Sequence, residues 1–588
     1  MEITPKDLTI GQLFANYNEQ FLIPAYQRRY AWKYNQYAAL FDDIDNLGTN
    51  EKHLFGTVLF NSGFFKGGLN TPEIVDGQQR ITTLSLLFLA IKSRYLELKN
   101  KKKAEEVDKY LISKDYDEKI QNKLILGDLD NPDYAKILKA VEIDKILNQN
   151  LKDAYEYFLE FLRDYFPLKE LNLFFFKLSN NCVVIRLDIS DAKNVYKLFE
   201  IINNRGLRLS ATDIIKNFIL GHASQLGERS LSDIKRLWAD IIVSLDNINT
   251  DNFLRQYLAS ILRRKVTAGS LISEFKDHYK KNVKKSEMIS EFSIEDEYSE
   301  DDDENENNSD KQNTKKIKKI NITTFLRNIK RASIIYSNLL NKAFPDNNIN
   351  RALNDLDRIQ SFPTNIFMLE LFSRELNKQQ YYKALNQLKS FMIRRNICEY
   401  RTGELDAIFA RLCKVSDTNL NQNIKKELIE DFPRDEEFIN YFQKHQFKGK
   451  NKERAKYVLE QIEYYLTDNK NEYVINTSDE VHLEHIMPQN ISTNKSKNLF
   501  GNWEQYLGSD HKSKHKRYVW RIGNLTLLSD ELNLGASNNP FTKKKIFYKK
   551  SSLQINAKII ANNRQFRFNN QEKRGYELAK IAVKIWQL

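Results

Sequence analysis

The sequence predicts an α+β protein, predominantly helical and built from more than one domain. Three observations predict it. The chain has 588 residues, too many for one ordinary hydrophobic core. Strand-like and helical segments alternate only near the N-terminus, whereas residues 321–468 place Leu, Ile, Tyr and Phe at helical intervals with few glycines. From about residue 476 the character changes again, to histidines, Gly and Asn at turns, and one strand signal ahead of a Lys-rich helix.

Along the chain, Phe21–Trp32 and His53–Phe60 read as extended segments. Pro72–Asp76 reads as a short strand running into the turn Asp76-Gly77-Gln78-Gln79-Arg80. Ile81, Leu84, Phe88, Ile91 and Tyr95 then mark a helix from Gln78 to about Leu98. Cys182–Ile189 is a β-branched strand. Val195, Leu198, Phe199 and Ile202 predict a helix that stops at Asn203-Asn204-Arg205-Gly206, with Gly206 suited to the left-handed residue past a helix end. Ser210 and Asp213 form a capping pair for a helix over Ala211–Leu220. Lys284–Lys319 lacks periodicity and has few apolar residues, so a disordered linker or insert is expected there. Tyr518–Leu528 carries the last strand signal, and Thr542–Lys550 a basic helix.

Composition excludes several classes. Mean hydropathy is −0.59, and no stretch approaches the roughly 18 apolar residues of a membrane span. The opening MEITPKDLTIGQLF has no basic and then apolar run of a secretory signal. Cys182, Cys398 and Cys413 lie far apart, which argues against a disulfide framework or a thiolate zinc site. A soluble, cytoplasmic protein is expected. The formal charge is +13, but residues 291–310 hold eleven Asp/Glu and no Lys/Arg, leaving +24 on the rest. From His511 to the end, seventeen Lys/Arg face four Asp/Glu. Such a surface attracts polyphosphate, although solvated faces of Lys- and Asn-rich composition account for the charge equally well.

Four of the eight histidines fall within His482–His515. Their core is Val481-His482-Leu483-Glu484-His485-Ile486-Met487-Pro488-Gln489, followed by Arg521-Ile522-Gly523-Asn524-Leu525-Thr526-Leu527-Leu528, Asn533, Asn538 and the basic helix. On a strand Glu484 and His485 point to opposite faces, so they serve one centre only if the strand twists or ends there. Phosphodiester cleavage needs a base of near-neutral pKa, which histidine supplies, and a cation to neutralise the phosphorane. Mg²⁺ prefers oxygen ligands. The expected roles are His485 as general base, Glu484 and Asn524 as metal-side residues, and Asn533 or Asn538 as the third, helical position. A carboxylate, a histidine and an asparagine on a hairpin before a helix are the parts of a ββα-metal nuclease.

At the other end, Ile23-Pro24-Ala25-Tyr26-Gln27-Arg28-Arg29-Tyr30 sets two arginines among aromatics. The DGQQR turn opens a helix, whose N-terminal N–H groups bind anions, and Gly77 lets a phosphate approach. Arg80, Arg28 or Arg29 can fork onto phosphate oxygens, and Asp76 can hold Mg²⁺ or orient a water. A capping Asp-Gly with a solvated Arg explains the turn in isolation.

The string EHIMPQ…W…GNLTLL…N…F..K, with Trp503, Asn533, Phe541 and Lys544, resembles the C-terminal HNH domain of the GmrSD family of modification-dependent restriction enzymes. IPAYQRRYAW, HLFGTVLF, VDGQQRITTL and FEIINNRGLRLSATDIIKN resemble that family's ParB-like N-terminal domain, over about Leu8–Leu220. The resemblance implies that Asp76, Gly77, Gln78, Gln79 and Arg80, with Gln27 and Arg28, bind and hydrolyse a nucleoside triphosphate. It further implies a fused, Mg²⁺-dependent endonuclease that restricts modified foreign DNA such as phage genomes; a sister group senses backbone phosphorothioates. The domains expected are a ParB-like nucleotide-binding domain over 1–225, a helical connector over 226–283, an acidic insert over 284–320, a helical domain over 321–470 and an HNH domain over 471–588. Double-stranded DNA and an NTP are the expected partners, no membrane is, and a homodimer is left open. The competing reading is a nucleotide-switched DNA-binding protein whose HNH fold only docks.

Overall fold

Val183, Val184, Ile185, Leu187 and Ile189 form a strand because their β-branched and apolar side chains suit a pleated, two-sided surface. In the computed structural model, which describes residues 4–190, 210–284, 319–468, 481–492, 497 and 502–588, this strand is central to a mixed sheet. Among the described residues, ten strands precede the C-terminal hairpin: β1 (Thr4–Thr9), β2 (Phe21–Leu22), β3 (His53–Asn61), β4 (Phe65–Lys66), β5 (Leu69–Asn70), β6 (Glu73–Asp76), β7 (Ile112–Lys114), β8 (Ile120–Asn122), β9 (Leu124–Ile125) and β10 (Cys182–Ile189). The six-stranded sheet runs β1-β10-β3-β6-β2-β9, and β4–β5 and β7–β8 are separate hairpins. Strand β10 pairs antiparallel to β1 and parallel to β3, and β3 pairs antiparallel to β6.

The chain divides into two compact units, Met1–Arg255 with Thr267–Ile334 and Gln256–Val266 with Ile335–Leu588. The first holds the sheet. Its core helix, Gln78–Glu97, is buried over most of its circumference from Ile81 to Ile91, as expected of a helix enclosed on all sides. Phe14, Phe21 and Phe60 share a core with its Phe88. The extended segment expected over Phe21–Trp32 is a strand only at Phe21–Leu22. Pro24 has no N–H for a ladder, and the chain turns there, with Gln27 N–H donating to the Pro24 carbonyl at 2.9 Å. The helix predicted after Ser210 runs Ala211–Gln225, and Ser210 caps it by accepting from Asp213 N–H. The expectations for 195–206, and nearly all of 284–319, lie outside the described residues.

Among its described residues the second unit is helical apart from one hairpin, β11 (Val481–His485) with β12 (Leu525–Ser529). Its C-terminal core gathers Ile486, Met487, Trp503, Leu528, Phe541, Tyr548 and Phe566. The strand signal over Tyr518–Leu528 holds only from Leu525: Tyr518 ends the helix His511–Tyr518, and Ile522–Asn524 is a 3₁₀ turn. Helices Asp435–Lys444 and Lys452–Leu466 pack against Phe568–Ile585, so residues assigned by sequence to the helical segment share a body with the hairpin. The fold is α+β and predominantly helical. No helix among the described residues is long and apolar enough to cross a membrane.

Candidate functional site

Strand β11 ends at His485, opposite Leu525, with Glu484 opposite Thr526. Beyond it Ile486 N–H donates to the Asn524 carbonyl at 2.9 Å. The Asn524 side chain, fully buried, accepts from Met487 N–H at 2.7 Å and donates to the carbonyls of Met487 and Val519, both at 2.9 Å. Asn524 thus fixes the turn that follows His485.

The His485 imidazole is only 6% exposed. Its Nδ1 faces the Gln489 side-chain amide at 3.2 Å, and its Nε2 has no partner among the described residues. The Trp520 ring stands perpendicular to it at 4.4 Å. Burial above all, then the charges of Lys544, Lys452 and His515, push its pKa down to about 3, because each disfavours an added positive charge.

Glu484 Oε1 accepts from Lys544 Nζ at 2.6 Å and from the Tyr548 hydroxyl at 3.0 Å. Lys544, with no exposed surface, also donates to the His485 carbonyl at 2.6 Å. Burial lowers the Lys544 pKa, opposed by Glu484, and raises that of Tyr548. Asn533 lies half-buried on helix Asp530–Ala536, and the Asn538 carbonyl accepts from the Trp503 indole N–H at 3.0 Å. Among the described residues no hydrogen bond joins either asparagine to Glu484, His485 or Asn524.

In the N-terminal unit, β6 delivers Asp76 to the start of helix Gln78–Glu97 through Gly77. Gly77 has φ +93°, and a Cβ there would meet Val58 at 3.1 Å, so only glycine fits. Gln79 clamps the arginine string to this helix, accepting from Ala31 N–H at 2.7 Å and donating to the Arg29 carbonyl at 3.1 Å. Gln27 donates to the carbonyls of Ile74 and Val75 and accepts from buried Lys216, which lies 3.3 Å from Asp213. Burial raises the Asp76 pKa against the pull of Arg80.

A narrow crevice with room for about one water, 20 Å³, is lined by Gln27, Arg28, Gln78 and Gln79 among others, and Gln78 Oε1 is buried without a partner among the described residues. A neighbouring cleft of 940 Å³ shares Arg28, Arg29 and Tyr30. Asp76, Gly77 and Arg80 do not line either: Arg80 turns to the Thr57 carbonyl at 3.0 Å. Arg29 is held by Asp130 at 2.7 Å and Asp246 at 2.6 Å. Arg28 is 43% exposed, with Asp213 at 3.6 Å, and is the arginine left for an anion.

The model described as GmrSD restriction endonuclease, N-terminal domain, matches residues 10–220, and that of the GmrSD restriction endonuclease C-terminal domain matches residues 432–581. The chain belongs to the GmrSD restriction endonuclease family. No curated protein matches it. Membership in the GmrSD family makes this a nuclease of phage defence with DNA as its substrate, and restriction endonucleases call for a divalent cation.

The residues expected on the metal side do not fit a cation as arranged. Glu484 gives its oxygen to a buried ammonium, and every hydrogen-bonding direction used by Asn524 ends on backbone. Among the described residues no three His, Cys, Asp or Glu side chains converge. The residues the sequence reading missed are Lys544 and Tyr548 as partners of Glu484, Gln489 and Trp520 around His485, and Lys216 beneath Gln27. Lys216 had a signal: it falls on the apolar face of its helix with Ile215 and Ile219, where an ammonium must find a partner.

Proposed function

We propose that the chain is an NTP-regulated, Mg²⁺-dependent DNA endonuclease acting by an HNH mechanism on modified foreign DNA, with His485 as the general base. The observation that carries this is the buried His485 ring, with one nitrogen against an amide and the other without a partner. As placed, the Gln489 amide N–H donates to Nδ1, which leaves the ring proton on Nε2; Nε2 offers its lone pair to a water once the amide turns its oxygen to Nδ1. The free ring is a weak base; a phosphate entering beside it raises its proton affinity, because an anion favours the imidazolium. Asn524 holds the turn, and the order of hairpin and then basic helix supports the HNH reading. Were Mg²⁺ bound here, Glu484, freed from Lys544, would be the residue to hold it, and the cation would neutralise charge on the phosphate.

In the N-terminal unit, Arg28 and Arg29 line the open cleft proposed for the nucleotide and also the crevice of Gln27, Gln78 and Gln79, and Gly77 shapes the helix start between Asp76 and the Gln78-Gln79-Arg80 run. His485→Ala should abolish plasmid nicking and leave NTP hydrolysis intact; equal cutting by the variant refutes the assignment. Asp76→Ala should lose NTP hydrolysis first.

The Glu484–Lys544 pair favours a second reading, a nucleotide-switched DNA-binding protein whose hairpin only docks, since that pair occupies a donor the nuclease needs. Nicking assays with and without Mg²⁺ separate the two.

A further inference from the structure

Asn502, Trp503, Tyr506, Pro540, Phe541 and Thr542 line an apolar cavity of 410 Å³ in the C-terminal unit, counted to its open mouth. Its aromatic walls are held firmly. The Trp503 and Tyr506 rings meet edge-to-face at 5.3 Å. The Trp503 N–H is bonded to Asn538, and the Tyr506 hydroxyl accepts from Phe566 N–H at 2.8 Å. Phe541 lies 5.4 Å from Phe566. With every polar atom of these rings satisfied, the walls present only π surface.

Cations frame this surface. The Arg567 guanidinium sits 5.1 Å from the Tyr506 ring centroid and Lys545 Nζ 5.6 Å from that of Phe541. Lys543 is exposed on the helix that carries Phe541, and Arg564 is exposed in the loop that carries Arg567. The nearby carboxylate, Glu504, is taken by Lys497 at 2.5 Å, with His511 at 3.6 Å. Asn502, whose Oδ1 caps its helix by accepting from Gln505 N–H at 3.1 Å, and Thr542 bring an amide and a hydroxyl able to bond a planar heterocycle edge. Phe541 stands one helical turn before Lys544, the residue that bonds Glu484 and the His485 carbonyl.

We propose that this cavity takes one unstacked nucleobase of the DNA substrate, held between aromatic faces while Arg567, Lys543 and Arg564 hold the flanking phosphates. Aromatic faces stack any base and cations track the backbone, which is how single-stranded nucleic acid is gripped. The proposal rests on DNA being the substrate and not on the role of His485.

The test uses the full chain in EDTA, so that nothing is cut, and two single-stranded oligodeoxynucleotides of equal length. One carries bases; the other has abasic residues over its central positions, with the same phosphates. The wild type should bind the base-bearing strand about tenfold more tightly. Thr542→Trp, an exposed position whose new ring fills the mouth, should remove that preference, leaving affinity for the abasic strand and the salt dependence unchanged. Arg567→Ala should weaken both strands and shallow the salt dependence, and Thr542→Phe, a smaller ring at the same exposed position, reads the base preference if Thr542→Trp does not melt like the wild type. No preference in the wild type, or a preference that survives Thr542→Trp, overturns the proposal. So does equal loss for both strands in Thr542→Trp, which would mean backbone contact alone. Competition by a free deoxynucleoside monophosphate without any strand preference would assign the cavity to a small nucleotide instead. Failure to bind either strand would remove the DNA reading as well.

Discussion

His485 couples the site to pH through where it sits. Its folded pKa, pushed down to about 3, lies below the ordinary value of 6.5. Below pH 6.5 the unfolded chain takes up a proton that the folded chain refuses. Stability should therefore fall as pH drops from about 6.5 towards 3, by at most ~1.4 kcal/mol per pH unit from this group, and gain nothing above 6.5. Urea denaturation from pH 4.5 to 7.5 checks this: His485→Gln should flatten the dependence, and an unchanged slope would contradict the burial. The Glu484–Lys544 pair makes a second prediction. Lys544→Met leaves a carboxylate buried without its cation, at a cost of about 3–5 kcal/mol. Adding Glu484→Gln should recover most of it, since removing both charges is far less costly than removing one. The pairing could not be read from sequence: outside the F..K pattern Lys544 reads as one of five lysines on a basic helix, and only its depth gives it to Glu484.

At the scale of elements, strand ends and close contacts decide the site. The helix Gln78–Glu97 and strand Cys182–Ile189 were legible because side-chain periodicity and β-branching act locally. The DGQQR turn was legible as a strand-to-helix junction, but Arg80 turning to Thr57 was not, because Thr57 lies on another strand. The 3₁₀ turn Ile522–Asn524 shows the same division. A Cβ on Gly523 would come within 2.2 Å of the Gln571 carbonyl and 3.1 Å of Gly575 N, and Arg574 bonds the carbonyls of Ile522, Gly523 and Leu525. Both neighbours are backbone and cannot move aside. Gly523→Ala should thus cost about 1–3 kcal/mol or more by overpacking, and it should weaken nicking in proportion, since the same turn positions Asn524. Thermal melting beside a nicking assay reads both effects; an unshifted melt would show that the helix Phe568–Ile585 is not in contact.

Across the whole chain, the hairpin cannot be detached at the change in composition near residue 476. Glu463 accepts from Gln554 and Ile555 N–H at 2.7 and 2.8 Å, capping helix Gln554–Asn562, and Arg394 bonds the carbonyls of Trp586 and Val583. A fragment of residues 471–588 loses these partners and the faces of helices Asp435–Lys444 and Lys452–Leu466. It should show no cooperative melting transition, while the full chain does; a sharp transition in the fragment, followed by circular dichroism, would count against this packing.

By itself the sequence determined most element types around both sites, the glycine at the DGQQR turn and the functional groups carried by Glu484, His485 and Asn524, because backbone preference and side-chain functional groups are local properties. Only the tertiary structure decided which charges are already spent. Glu484 meets an ammonium 60 residues away, Arg29 meets Asp246 across 217 residues, and Arg28 is left open. A group's pKa and its freedom to bind depend on neighbours brought together by folding and on the water they exclude, and no spacing along the chain encodes that.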